Sequence, residues 1–113
     1  MISVAIYEHD ITHDIVFKVK GHAGAVKEGI DPICCSASTY VDQMVETIKG
    51  LYEMGWLKGR PRISREEGKA AIVFHPCESF EMIVKYMIRM SVTGFYSLVR
   101  RYPQYIQFDN AKA

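Results

Sequence analysis

A histidine and a cysteine twelve residues apart, His22 and Cys34, carry the groups in this chain best suited to nucleophilic chemistry. A thiolate attacks a carbonyl, and an imidazole within reach takes the thiol proton and later returns it to a leaving group. Around them residues 21–38 read GHAGAVKEGIDPICCSAS. Asp31 followed by Pro32 is a helix-start signal. A carboxylate at the N-cap accepts from N–H groups that the helix leaves unpaired, and the missing proline N–H costs nothing at the first helical position. Cys34 then falls at the third helical position, where the partial positive charge of the helix end favours an anion. Backbone N–H groups around Cys34 and Cys35 point out of that end and could donate to the oxyanion of an attacked carbonyl. Ser38, one turn on, shares a face with Cys34 and either orients the site or bonds back to the Cys34 carbonyl. Gly21 allows close backbone approach beside His22.

Each feature also has a plainer account. Cysteine is among the most buried residue types, and Cys34 lies near the apolar stripe of its helix, so an inert core thiol fits the same pattern. A histidine after a strand is often a satisfied structural residue. Asp31 caps whether or not chemistry follows, and Ser38 is tolerated in any helix. Cys35, about 100° round the helix from Cys34, is read as a packing residue rather than a guard that shields Cys34 by reversible oxidation. Cys77 is read as structural. A metal module from Cys34, Cys35, Cys77 and any of His9, His13, His22 and His75 lacks the paired-ligand spacing of structural zinc sites. His9 and His13 have an H-x₃-H spacing, but on a strand–turn–strand it guarantees no convergence. No metal and no cofactor are expected.

The elements that must position these residues follow from periodicity. Residues 2–9 and 11–23 are rich in β-branched and aromatic types, and Ile15, Phe17 and Val19 alternate with Val16, Lys18 and Lys20. Both read as strands, with a turn near Asp10. Residues 22–31 have loop composition. Ile33, Ala37, Val41, Met44, Ile48 and Leu51 recur at helical spacing, with Gly50 and Gly55 bracketing the end. Residues 60–76 read as a hairpin turning at Glu67–Gly68, with Ala71–Phe74 as its more buried arm. Residues 78–103 read as one longer helix with an apolar face of Phe80, Ile83, Val84, Met87, Ile88 and Met90. Within it Gly94 admits close packing at some cost in helix propensity, and Pro103 stops it. Residues 104–108 form a short last strand. The order ββαββαβ predicts a small α+β domain spanning 1–113, with two helices packed on a mostly antiparallel sheet.

Bulk properties set the outer limits. The 113 residues are 49% hydrophobic and 24% charged, with net charge +1, a globular balance that argues against a strongly basic nucleic-acid binder. Residues 1–55 carry four basic against eight acidic side chains and residues 56–113 ten against five, giving −4 and +5. Such a divided charge suits self-association or a partner charged in patches. Three cysteines, two of them adjacent, do not make a secreted disulfide framework. No apolar run reaches a membrane span, and the first residues lack a secretory signal pattern. A cytoplasmic protein is expected.

GHA at 21–23, GID at 29–31, Cys34 and Ser38 together resemble the ribosomal-processing cysteine protease family, the bacterial Prp proteins. Gly21, His22, Asp31, Cys34 and Ser38 all fall on the family's pattern. The paired first strands, the helix after the cysteine, the Glu–Gly hairpin and the YPQYIQF ending extend the likeness along the chain. The resemblance implies a cytoplasmic, homodimeric cysteine endopeptidase that removes a short N-terminal extension from a large-subunit ribosomal protein. Cys34 would be nucleophile and His22 base. It also implies a mobile loop, here residues 23–30, that closes over substrate; Gly24 and Gly29 suit such hinging. One departure is Cys35–Ser36, where the family usually has small apolar residues. The competing expectation is a non-enzymatic ribosome- or RNA-associated dimerisation domain, built on Lys58, Arg60, Arg62 and Arg65 beside Trp56.

Overall fold

The computed structural model describes residues 1–26 and 29–109. Strands β1 (Ile2–Glu8) and β2 (Ile15–Lys20) pair antiparallel, with Ser3 opposite Lys20 and Glu8 opposite Ile15. The connection is closed by the His9 N–H donating to the Asp14 carbonyl at 2.8 Å. The hairpin of β3 (Arg62–Glu66) and β4 (Lys69–Phe74) turns at Glu67–Gly68 as its sequence indicates. Strand β4 pairs with β2, and β5 (Ile106–Phe108) runs parallel to β1, giving the sheet order β3-β4-β2-β1-β5.

The alternation in β2 sorts its side chains. Ile15, Phe17 and Val19 enter the core, while Lys18 faces outward with its ammonium 5.9 Å from the centre of the Tyr7 ring. Val16 departs from this sorting, because Tyr7 and Val73 flank it in register on the outer face and bury it too. Helix α1 (Pro32–Glu53) buries every one of its six apolar positions predicted from spacing. Gly50 lies inside this helix rather than at its end, and the chain leaves it at Gly55 in the left-handed region (φ 77°).

The long second helix predicted from periodicity is two helices. A 3₁₀ turn (Glu78–Phe80) leads into α2 (Glu81–Ser91), and α3 (Thr93–Arg101) begins after a break at Val92. The Ser91 and Thr93 hydroxyls donate back to the carbonyls of Met87 and Met90, competing with the helical ladder. Gly94 sits against the Tyr40 ring of α1, where a Cβ would lie 2.5 Å from a ring carbon. The Phe95 ring then packs against both Tyr40 (5.5 Å between centroids) and Phe17 (5.6 Å), tying α3 to α1 and to the sheet. The predicted apolar face of this segment is only partly inward. Val84 and Ile88 are buried, whereas Ile83 and Met90 are exposed, because the apolar residues of α2 spread well beyond the one side that rests on the core, with only Glu81, Lys85 and Arg89 making a charged stripe. The architecture is the expected α+β one, with helices packed on a mostly antiparallel sheet.

Candidate active site

Strand β2 ends at Lys20, and the next residue turns the chain toward α1. Gly21 has φ 100°, and a Cβ there would collide with the Met1 carbonyl, so only glycine fits the backbone approach. Its N–H donates to the Gly68 carbonyl at 2.8 Å, and the His22 carbonyl accepts from the Met1 nitrogen at 2.6 Å. The exposed His22 imidazole stands directly over Gly68.

The other half of the site is built by Asp31. Its Oδ1 accepts from the N–H groups of Ile33 (2.9 Å) and Cys34 (3.2 Å), and its Oδ2 accepts from Ala25 N–H at 3.0 Å. One carboxylate therefore caps α1 and fastens the loop that leads into it. The half-buried Cys34 Sγ accepts from the Ala23 N–H at 3.3 Å, so the residue after His22 is bonded to the thiol itself. Partial desolvation works to raise the Asp31 pKa, but the N–H groups of Cys34, Ala25, Ile33 and Val26 outweigh it and hold the carboxyl below its ordinary value. A depressed folded-state pKa means that Asp31 stabilises the fold above its unfolded pKa, and that this is lost as pH falls through the folded value. Asp31→Ala should therefore lower the melting temperature at neutral pH, with the gap to the parent closing in acid. Thermal melts across that range read this directly, and a gap independent of pH would remove the charge from the explanation.

Between α1 and the end of the sheet lies a cavity of about 500 Å³. Ile2, Val19, Ala37, Val41 and Ala70 give it an apolar floor, His22, Cys34 and Ser38 border it, and the β3–β4 turn forms its far rim. It exists because small side chains stand where the neighbouring inward positions of β4, Ile72 and Phe74, are large. Arg65, two residues on from Ile63 and on the same face of β3, spans the cleft. Its guanidinium pairs with the Asp42 carboxylate of α1 and lies 3.4 Å from the Ser38 carbonyl.

The structure thus brings His22, Cys34, Ser38 and Gly21 to one cleft, with Asp31 behind it holding the helix start. Cys35 is exposed and does not line the cavity, and its carbonyl accepts from the Thr39 hydroxyl. Gly24 and Gly29 adopt left-handed conformations (φ 69° and 85°); of the loop between them, Lys27 and Glu28 lie outside the described residues. The Cys77 thiol lies 3.7 Å from the Gly55 carbonyl, away from the site. His75 Nδ1 lies 3.1 Å from Asp14 at the opposite end of β2, and His9 Nδ1 accepts from Ile11 and Thr12 within the first turn. Among the described residues no three potential metal ligands converge. The basic stretch of residues 58–65 is not an unpaired stripe either. Arg62 lies 3.7 Å from Asp14, Arg65 is committed to α1, and Trp56 stacks on Phe80 at 5.0 Å. Sequence reading placed Arg65 only in that stretch and gave Gly68 only a turn. The alternation Ile63–Ser64–Arg65 was a usable signal for the first; the second had none.

A thiol in the first turn of a helix and a histidine, bordering one cleft on an α+β sheet, make an arrangement that suits a cysteine protease. The family model for the cysteine protease Prp matches residues 1–107, and the chain belongs to that family. Among solved structures, the essential ribosomal processing protease Prp from S. aureus with a covalently linked product peptide is similar at TM-score 0.68 and 18% identity, over 98% of this chain and all of that one. The same protease with a substrate peptide gives 0.65 and 16% over the same shares of the two chains. SMU.848 from Streptococcus mutans gives 0.63 and 15% over all of this chain and 96% of that one. No curated protein sequence matched.

Proposed function

We propose that this chain is the endopeptidase that removes a short N-terminal extension from a large-subunit ribosomal protein, acting as one domain over residues 1–113. The observation that carries the reading is the cleft itself, where Cys34 and His22 border about 500 Å³ of apolar-floored space. Family membership and the processing role named for the S. aureus protease support it.

In this mechanism His22 takes the Cys34 proton and the thiolate attacks the scissile carbonyl. The resulting oxyanion is met by N–H groups at the start of α1. Collapse expels the amine of the downstream fragment, which His22 protonates, leaving a thioester on Cys34. His22 then takes a proton from water, whose oxygen attacks the thioester and returns Sγ to His22 for reprotonation. Ala23 N–H, bonded to Sγ at rest, would be released when the loop of residues 23–30 opens for the peptide, with Gly24 and Gly29 as hinges. The test is intact-mass analysis of the extended precursor after incubation with the protein. A single cut near its N-terminus supports the reading, and an untouched soluble precursor with reduced Cys34 ends it.

The same reading includes a cytoplasmic location and a homodimer. No helix of the described residues is long and apolar enough to cross a membrane. The exposed face of α2 offers the dimer contact. Met82, Tyr86 and Met90 form a ridge at i, i+4, i+8 and are 86%, 62% and 58% exposed. Paired antiparallel about a twofold axis, the Glu78 and Glu81 end of one helix would meet the Arg89 end of the other. Tyr86→Lys should convert a dimer to a monomer in analytical ultracentrifugation; a monomeric parent, or a variant that stays dimeric, would reject this face.

A further inference from the structure

Gly68 lies 46 residues from His22 in sequence, yet among the described residues, its chain neighbours aside, the three atoms nearest its Cβ position all belong to this histidine's ring. A Cβ on Gly68 would stand 2.8 Å from Nε2 and 3.4 Å from Cε1 of the imidazole. The first distance is shorter than any van der Waals contact allows, so a side chain at 68 and the observed ring position are incompatible. The carbonyl of the same glycine holds Gly21 N–H at 2.8 Å, fixing the backbone immediately before His22. The hairpin that carries Gly68 is itself fixed to the helix that carries Cys34, through Arg65 to Asp42 and the Ser38 carbonyl. A single hairpin therefore touches both segments of the pair, the histidine through Gly68 and the cysteine helix through Arg65.

We propose that the β3–β4 hairpin is the positioning element of the Cys34–His22 pair, with Gly68 as the seat that sets where the His22 imidazole stands. This rests on the reading of His22 as the base. Gly68 has no side chain to take part in the chemistry; it acts through His22. A left-handed turn (φ 76°) would by itself explain a glycine, but not the imidazole lodged in the space of the missing Cβ. The ring is the movable end of a side chain, so filling that space turns the ring away rather than unfolding the hairpin. A proton acceptor displaced by an ångström loses much of its value in catalysis.

The test uses Gly68→Asn, because asparagine tolerates the left-handed backbone while still supplying a Cβ. Gly59→Asn is the matched control, since Gly59 has φ 82° with nothing within 4 Å of its Cβ position. The first readout is the ring resonance of His22 through a pH titration by NMR, assigned by its loss in His22→Ala. Gly68→Asn should move the His22 resonance and its titration while those of His9, His13 and His75 stay in place, and Gly59→Asn should move none. The second readout is the iodoacetamide alkylation rate of Cys34, located by mass spectrometry. Gly68→Asn should slow it by roughly tenfold, and should add nothing in a His22→Ala background. A His22 titration that overlays the parent's, or one moved equally by Gly59→Asn, overturns the proposal. So does a Gly68→Asn loss that persists without His22. Should alkylation prove independent of His22 in the parent, the protease mechanism fails, and the ring resonance still decides the seat. Gly68→Ala repeats every arm with the smallest side chain if the asparagine variant does not fold.

Discussion

On the proposed mechanism, Cys34→Ala should abolish cleavage of the extended precursor, lowering kcat by at least about 10⁴-fold, because a methyl group cannot form a thioester. His22→Ala should cost about 10²–10⁴-fold, the usual worth of general acid–base help to a nucleophile that is already reactive as its anion. Cys35→Ala should leave the rate nearly unchanged, since Cys35 faces solvent outside the cleft. The three variants together distinguish two adjacent thiols that a bulk thiol assay would confuse. Intact-mass spectrometry of the precursor reads all of them. Retained cleavage by Cys34→Ala would reassign the nucleophile, and equal losses from Cys34→Ala and Cys35→Ala would point to a damaged helix start rather than lost chemistry.

Phe95→Ala should be the most damaging single truncation in the fold, costing about 3–5 kcal/mol. Phe95 is fully buried and its ring lies against Phe17 of the sheet and Tyr40 of α1, so the hole would open where three elements meet. Collapse around it is obstructed, since Tyr40 is already seated against Gly94. Against a typical stability of about 5–15 kcal/mol this is a large fraction. Urea denaturation should show a lower midpoint with an unchanged slope. A cost under about 1 kcal/mol would mean that α3 is not anchored by this ring. Cleavage measured where the variant remains folded should survive, which separates it from the losses at Cys34.

The parts of the molecule legible in the sequence are those specified locally. Asp31–Pro32 announced the start of α1 because a cap and a first-turn proline act over three or four residues, and the structure adds only that the same carboxylate also holds Ala25. The alternation in β2 named its inward residues for the same reason. The break at Val92 was hidden, because the apolar residues continue across it and the Ser91 and Thr93 hydroxyls that bond back to the ladder beside it are tolerated in many unbroken helices. Which of α2's apolar residues face inward was likewise undecided by a segment whose apolar residues cover all but the stripe of Glu81, Lys85 and Arg89. Of the candidate site residues, Gly21, His22, Cys34 and Ser38 border the cleft and Asp31 caps its helix, and all five come from a pattern within eighteen residues. Gly68 and the span of Arg65 depend on strand pairing between distant segments, and no local spacing encodes that.

The sheet order has a kinetic side. Cys34, Asp31 and Ala23 can find one another within a short loop, among the fastest events in folding. The surface beneath His22 arrives only when β4 aligns with β2, Lys69 opposite Lys20, across the whole of α1. Ile2 meets Ile106 across nearly the full chain. Contacts that close such long loops form slowly and set the rate for topologies of this kind. Cys34 and its cap therefore rest on local contacts, whereas the surface beneath His22 rests on a pairing that spans the whole of α1, so the two halves of the proposed site are specified at different ranges along the chain.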